Sequence, residues 1–314
     1  MVDLAVDIAG VRLKNPIMPA SGTFSEELAD IFDLERLGAH VTKTITRGWR
    51  DGNPTPRVCE VGGSMLNSIG IPSKGIGYFV DKVIPFYRAY ETPLVVSISG
   101  NTADEFATLC SEVSVDGVAA IEVNISCPNI EEDGKAFAIR PSSTYEVMRR
   151  LRKATSLPLW AKLTPNTGET PDVARAAEEG GADALVVANT VLAMAIDIRS
   201  RRPKLGNLMG GLSGPSLKPI ALRMAYQCAR ATRIPVIGCG GISTVEDVLE
   251  YLIAGASAVQ VGTATFINPT VMPGIIDGLA AYVEAEGLAS VRELVGTVID
   301  EEQGENVVFM EAAP

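Results

Sequence analysis

The segment PVIGCGGISTVEDVLEYLIAGASAVQVGTA, residues 235–264, carries the fold in miniature. PVIGC is short, apolar and rich in β-branched residues, and the glycines at 240 and 241 end it. The next stretch has helical spacing: Val245, Val248, Leu249 and Leu252 fall on one apolar face. Ser243 and Glu246 fit a capping box at its start. AVQVG is then a second short apolar run. Neither run alternates strictly, which is the pattern of strands buried on both faces of a parallel sheet.

The same unit recurs outward along the chain. Further apolar runs are NPIMPAS (15–21), HVTKTIT (40–46), PLVVSISG (93–100), AAIEVNIS (119–126), PLWAKLT (158–164) and ALVVANT (184–190). Helix signals follow several of them. Thr102 and Glu105 fit a capping box after the third run. PDVARAAEEGGA (171–182) ends in the glycines that stop helices. Eight βα units without a composition break predict a (β/α)8 barrel in a single domain over 1–314, with a peripheral acidic tail from about 298. A doubly wound sheet is the alternative.

Of the 314 residues, 46% are hydrophobic and 21% charged, enough for a large core. A net charge of -11 argues against nucleic acid or an anionic membrane as partner. The N-terminal MVDLAVDIAG lacks a signal peptide's basic leader, and no uncharged apolar run reaches the ~18 residues of a membrane span. A cytoplasmic protein is expected. The five cysteines are scattered without a CxxC pair, so neither an iron–sulfur cluster nor structural zinc is expected in this chain. Cys59, Cys110, Cys228 and Cys239 read as small buried hydrophobes. The single histidine, His40, adjoins an apolar strand and reads as structural.

In a barrel, function sits at the carboxyl ends of the strands. Those ends carry Ala20-Ser21-Gly22, Lys43-Thr44, Ser97, Asn124 with Cys127, Lys162, Asn189-Thr190, Gly240-Gly241 and Gly262-Thr263. They supply no carboxylate cluster, which disfavours divalent-metal chemistry. The glycine turns after strands seven and eight, with a helix N-terminus beside them, suit a phosphate. Lys43 and Lys162 end otherwise apolar strands, a costly placement unless each meets an anionic or polar partner. The loop LNSIGIPSKGIG (66–77) offers Asn67 and Ser68, and Gly70 permits close backbone approach to a ligand. With Asn124, Asn129 and Asn189 it makes a set of amides fit for a flat ligand of alternating donors and acceptors. In EVNISCPNI (122–130), Cys127 follows a strand and precedes a proline, either as an inert thiol or as one that does chemistry at a strand terminus.

NPIMPASGTF, TKTIT, NSIGIPSKG, NISCPN, AKLTPN, GGLSGPSLKPIALRM, GCGGI and VGTATF occur in that order. Together they resemble the dihydroorotate dehydrogenases, over residues from about 3 to about 285. The resemblance implies an FMN-containing barrel that oxidises dihydroorotate to orotate, with Cys127 as the base that removes the C5 proton. The cysteine in place of a serine implies the soluble type. AMAIDIRSRRPKLGNLMGGLSG (193–214) implies the NAD-linked, two-subunit form, whose partner subunit carries FAD and [2Fe–2S]. A homodimer within a heterotetramer is implied with it. Flavin contacts fall by resemblance on Ser21, Lys43, Thr44, Asn124, Lys162, Ala188, Gly214, Gly240, Gly241, Gly262 and Thr263. Substrate contacts fall on Lys43, Asn67, Ser68, Ile69, Gly70, Ile71, Asn124, Asn129, Asn189 and Thr190. Ser97 stands where many NAD-linked members have asparagine, and Ala188 replaces a larger aliphatic residue. Two other enzyme readings stay open: a dihydropyrimidine (uracil or thymine) dehydrogenase, and a flavin-free phosphate-binding lyase using Lys162 as a Schiff base. A non-catalytic assembly barrel is a third class. The basic run RSRRPK (199–204) reads as a solvated loop.

Overall fold

The computed structural model describes residues 2–126 and 136–299. Eight strands form one parallel sheet: β1 Ile17–Pro19, β2 His40–Val41, β3 Leu94–Ile98, β4 Ala120–Val123, β5 Leu159–Lys162, β6 Ala184–Val187, β7 Val236–Cys239 and β8 Ala258–Val261. Neighbours run β1-β8-β7-β6-β5-β4-β3-β2, so consecutive strands lie side by side around a barrel. Each strand is one of the eight apolar runs, and every residue of β3 through β8 is buried. The doubly wound alternative is thereby set aside, because such a sheet reverses its strand order partway.

β1 and β2 close the circle without a regular ladder. Their contact is made where Gly38 N–H donates to the Ile17 carbonyl at 2.8 Å. A Cβ at position 38 would stand 2.1 Å from the Asn15 carbonyl oxygen, so only glycine fits this approach. His40, at the start of β2, is buried; Phe24, Tyr87 and Tyr90 pack around its ring, and Nε2 pairs with the Leu34 carbonyl. Burial pushes its pKa down, and it does not line the cavity described below.

Helices Ala103–Glu112, Pro141–Arg152, Thr170–Glu179, Lys218–Ala231, Val245–Ile253 and Val271–Ala285 wrap the later strands. The first turn after β1 departs from the pattern, with short 3-10 pieces Glu26–Asp30 and Leu34–Arg36. Thr102 caps its helix by accepting from Glu105 N–H, but the Glu105 carboxylate turns to the Asn101 backbone and amide instead of completing the box. The box expected from Ser243 and Glu246 sits one residue later, with Thr244 and Asp247 as the reciprocal pair. Asp247 wins because it also accepts from the Ser243 backbone and hydroxyl and from Lys218.

Two long excursions, after β2 and β6, meet in a four-stranded antiparallel sheet ordered Val191–Ala193, Gly210–Ser213, Ser64–Asn67, Val58–Val61. Gly62 and Gly63, both at positive φ, make its tight turn. The basic run is partly ordered as a small hairpin, with Arg202–Pro203 paired to Ile196–Asp197 and Arg199, Arg201, Arg202 and Lys204 exposed. Cys110, Cys228 and Cys239 are buried as expected, whereas Cys59 is half-buried in the excursion sheet. No described helix is long and apolar enough to cross a membrane. All but the first residues of the expected tail lie outside the described residues.

Gly38→Ala tests the closure. The added methyl meets backbone, which cannot swing aside as a side chain can, so a loss of about 1–3 kcal/mol is expected. A urea midpoint equal to that of the unsubstituted chain would contradict it.

Candidate active site

The carboxyl ends of the strands and the antiparallel excursion enclose a cavity of about 920 Å³. Its floor is the top of the barrel and one wall is the excursion sheet, which contributes Met65, Asn67, Leu192, Gly210, Gly211 and Ser213. The sequence-predicted residues Ser21, Lys43, Thr44, Asn67, Ser68, Ile69, Gly70, Ile71, Asn124, Lys162, Ala188, Asn189, Thr190, Gly214, Gly240, Gly241, Gly262 and Thr263 all line it. Cys127 and Asn129 lie outside the described residues.

On one side stands an amide cluster. Asn189 Nδ2 donates to Asn124 Oδ1 at 3.3 Å and to Ser126 Oγ at 2.6 Å, and Ser126 Oγ donates to Asn124 Oδ1 at 2.5 Å. Asn124 is held from β3 by its N–H to the Ile98 carbonyl. These bonds fix both side-chain amides before any ligand arrives. The 67–71 loop is fixed in a similar way. Ser68 Oγ accepts from Asn53 Nδ2 at 2.8 Å and from Asn207 Nδ2 at 2.9 Å, one from each excursion. Gly70 and Ile71 both have positive φ, which bends the loop sharply; for isoleucine that conformation is strained.

Two lysines face this cavity with different company. Lys162 is buried, 3.2 Å from Ser21 Oγ, 3.1 Å from Gln260 Oε1 and 3.6 Å from Glu122 Oε1. Lys43 is half-buried and makes no ion pair or side-chain hydrogen bond with another described residue. Burial without compensation pushes its pKa below the usual lysine value. Such a cation gains most from an anion entering the cavity. Glu122 and Gln260 are contacts that the sequence did not reveal, because single polar residues inside apolar strands leave no local signal; Ser97, expected at a strand end, lies beneath the cavity against Glu122. Ser99, Asn101, Thr164 and Asn166 also line the cavity.

On the neighbouring strand ends lie the glycine turns, Ala188 N–H donating to the Cys239 carbonyl just before them. Gly240 and Gly241 have φ of 140° and 69°. A Cβ on Gly241 would meet Lys218 Cβ at 2.6 Å, and one on Gly240 would meet Ala221 Cβ at 2.8 Å. Tyr251 Oη donates to the Gly240 carbonyl at 2.8 Å, and Thr263 Oγ1 donates to Ser213 Oγ at 2.8 Å. Lys218 braces the floor of this turn through Asp247 at 2.7 Å and Glu250 at 2.9 Å. The helix starting at Val245 adds its N-terminal dipole. Bare backbone here is suited to a phosphate. The Cys239 thiol also borders the cavity, but burial pushes its pKa up, with only partial relief from Lys162.

The barrel brings a glycine-lined turn suited to an anion, two cavity lysines and fixed amides to one cavity, a set that could take an anionic, flat ligand beside a phosphate-bearing one. The comparisons identify the kind of enzyme that owns it. The family model described as dihydroorotate dehydrogenase matches residues 3–283, and the chain belongs to that family. It is 47% identical over 300 residues to the "Dihydroorotate dehydrogenase B (NAD(+)), catalytic subunit" of Geotalea uraniireducens, covering 95% of this chain and 98% of that one. The proteins of the same name from Thermoanaerobacter pseudethanolicus and Caldicellulosiruptor saccharolyticus are 45% and 46% identical, each over 95% of this chain and 99% of theirs.

Gly241→Ala tests the anion cradle. A methyl in a left-handed turn against Lys218 is expected to weaken binding of a phosphate-bearing ligand at least tenfold, by calorimetry, while the far-ultraviolet spectrum stays that of the parent. Unchanged affinity would show that the phosphate lies elsewhere.

Proposed function

We propose that this chain is the FMN-bearing catalytic subunit of an NAD-linked dihydroorotate dehydrogenase, oxidising (S)-dihydroorotate to orotate in de novo pyrimidine biosynthesis. Lys43 is the observation that carries the substrate assignment: a half-buried cation without a partner among the described residues, lining a cavity that also carries the amides. Dihydroorotate brings both a carboxylate and a ring of alternating carbonyl and N–H groups. A dihydropyrimidine lacking the carboxylate would leave Lys43 uncompensated. A Schiff base on Lys162 is disfavoured by its burial against Gln260 and Glu122.

The residues present fit FMN. The glycine cradle at 240–241 and 262–263 would hold its phosphate, and Lys162 would face its ring system from the barrel floor. Ser21, Thr44, Ala188 and Gly214 complete that surround. Bound FMN supplies the acceptor for a hydride from the substrate. The protein supplies the rest. Lys43 holds the substrate carboxylate, while Asn124 and Asn189, fixed as described, and Asn67, whose Nδ2 donates to the Gly211 carbonyl at 3.2 Å, orient the pyrimidine carbonyls and N–H groups. Asn129 and Thr190 are assigned to the same task. Cys127 is assigned as the base for the C5 proton. A free thiol has a pKa of roughly 8.5, so a few per cent is thiolate at neutral pH, and turnover rises with pH through that value. We assign FAD and [2Fe–2S] to a partner subunit, which accords with "catalytic subunit" in the relatives' names and with the absence of a CxxC pair here. A heterotetramer built on a homodimer of this chain, in the cytoplasm, completes the reading.

Cys127→Ala is expected to keep FMN and orotate binding while turnover falls roughly 10²–10⁴-fold, the usual contribution of a general base. Stopped-flow reduction by dihydroorotate reads it directly, and a near-normal rate would refute the assignment. Lys43→Ala is expected to weaken orotate roughly tenfold to a hundredfold, the loss of one charge-assisted hydrogen bond. The pH dependence has a defined sign. Orotate favours the protonated lysine, so affinity is full below the depressed Lys43 pKa and falls as pH rises through it. Orotate titrations of the Lys43→Ala protein should lack that alkaline fall; its persistence would place the effect on another group.

A further inference from the structure

Beneath the cavity lies a group with no part in the mechanism so far. Glu122, in β4, is fully buried and does not line the cavity. Its Oε1 accepts from Ser97 Oγ at 2.8 Å and its Oε2 from Gln260 Nε2 at 2.6 Å. Gln260 Oε1 in turn accepts from Lys162 Nζ at 3.1 Å. On the other side, Ser97 Oγ lies 2.8 Å from Thr44 Oγ1, which borders the cavity. The amide direction is dictated. A carboxylate offers only acceptors, so Gln260 must present its NH₂ to Glu122 and hence its carbonyl to the ammonium.

Stability does not explain this arrangement. Desolvating a carboxylate and an ammonium costs several kcal/mol per ion, and apolar side chains of equal volume serve a barrel interior as well or better. The arrangement does fix where a cation sits and how much net charge the floor presents. Lys162 alone would offer the cavity a full positive charge in a low-dielectric setting. With Glu122 at 3.6 Å, the floor is a near-neutral dipole whose positive end points to the ligand.

We propose that Glu122 is a positioning residue which, through Gln260, orients Lys162 at the cavity floor and lowers the reduction potential of the bound flavin by offsetting that lysine's charge. The proposal rests on the flavin reading above. A lower potential makes the reduced flavin a better donor to the next carrier, at some cost to the ease with which substrate reduces it.

The test uses two isosteric substitutions in the FMN-loaded protein. Glu122→Gln removes the charge. The double exchange Glu122→Gln with Gln260→Glu restores it, now directly against Lys162. Midpoint potentials are measured by dye equilibration. The single variant is expected to be more readily reduced than the parent, with reoxidation by an artificial acceptor slowed relative to reduction by dihydroorotate. The double variant is expected to return to the parent potential or fall below it. Equal potentials in all three proteins, or a rise in both variants, would overturn the proposal, since a packing role does not track charge. If the single variant fails to fold, the double decides alone: a potential above the parent's overturns the proposal. A parent chain that neither retains nor takes up FMN overturns the flavin reading and the proposal with it, an outcome distinct from flavin-bearing variants with unmoved potentials.

Discussion

Lys162 sits where the barrel interior becomes the ligand cavity, and its burial constrains everything around it. An ammonium at that depth needs partners on its protein side, or it sheds its proton. Gln260, Ser21 and Glu122 are among those partners, drawn from or just beyond β8, β1 and β4. Because they come from strands far apart in sequence, they meet only when the barrel is closed. The contact of Gly38 with Ile17, which joins β1 to β2, is therefore part of the site's architecture as well as the fold's. A barrel open at that seam would leave β1, and with it Ser21 and the wall carrying Ala20 and Thr23, held on the β8 side and loosened on the β2 side.

The two lysines show how one residue type takes different duties from its surroundings. Lys162 has protein partners and cannot reach far. Lys43 has none among the described residues and is held at the cavity by burial. The first suits a resident group that never leaves; the second suits a ligand that comes and goes, because each departure leaves a cost that the next arrival removes. The amides around them follow the same division. Asn124 and Asn189 are tied to each other and to Ser126, so their orientation is set before binding, and ligand affinity is not spent on ordering them.

Much of the barrel was legible because strands buried on both faces are continuous apolar runs, and eight of them stood out. The glycine turns were legible because Gly240 and Gly241 have no substitute in a left-handed turn pressed against Lys218 and Ala221. The excursion sheet was hidden. Its strands come from segments more than a hundred residues apart, Ser64–Asn67 and Gly210–Ser213, and pairing across such a gap leaves no local pattern. The capping box at 243–247 was misplaced by one residue for a related reason: Ser243 and Thr244 are equivalent in sequence, and the long-range contact with Lys218, from another helix, joins the Ser243 bonds in selecting Asp247 as the partner carboxylate. Glu122 and Gln260 were invisible because a polar residue in a buried strand announces a cost but not who offsets it.

Register places Ser97 beside Glu122 on neighbouring parallel strands, and Gln260 enters from the far side between Cys239 and Met18. The polar layer is thus one side chain thick, with Trp160 and other apolar groups in the strands around it. Thr44 at one end and Lys162 at the other both reach the cavity, joined beneath it by Ser97, Glu122 and Gln260. A continuous hydrogen-bonded chain with both ends at the ligand and its charge in the middle is rigid and direction-specific. Changing the carboxylate must alter the cavity at two separate points, whereas an apolar plug in its place would leave those points independent.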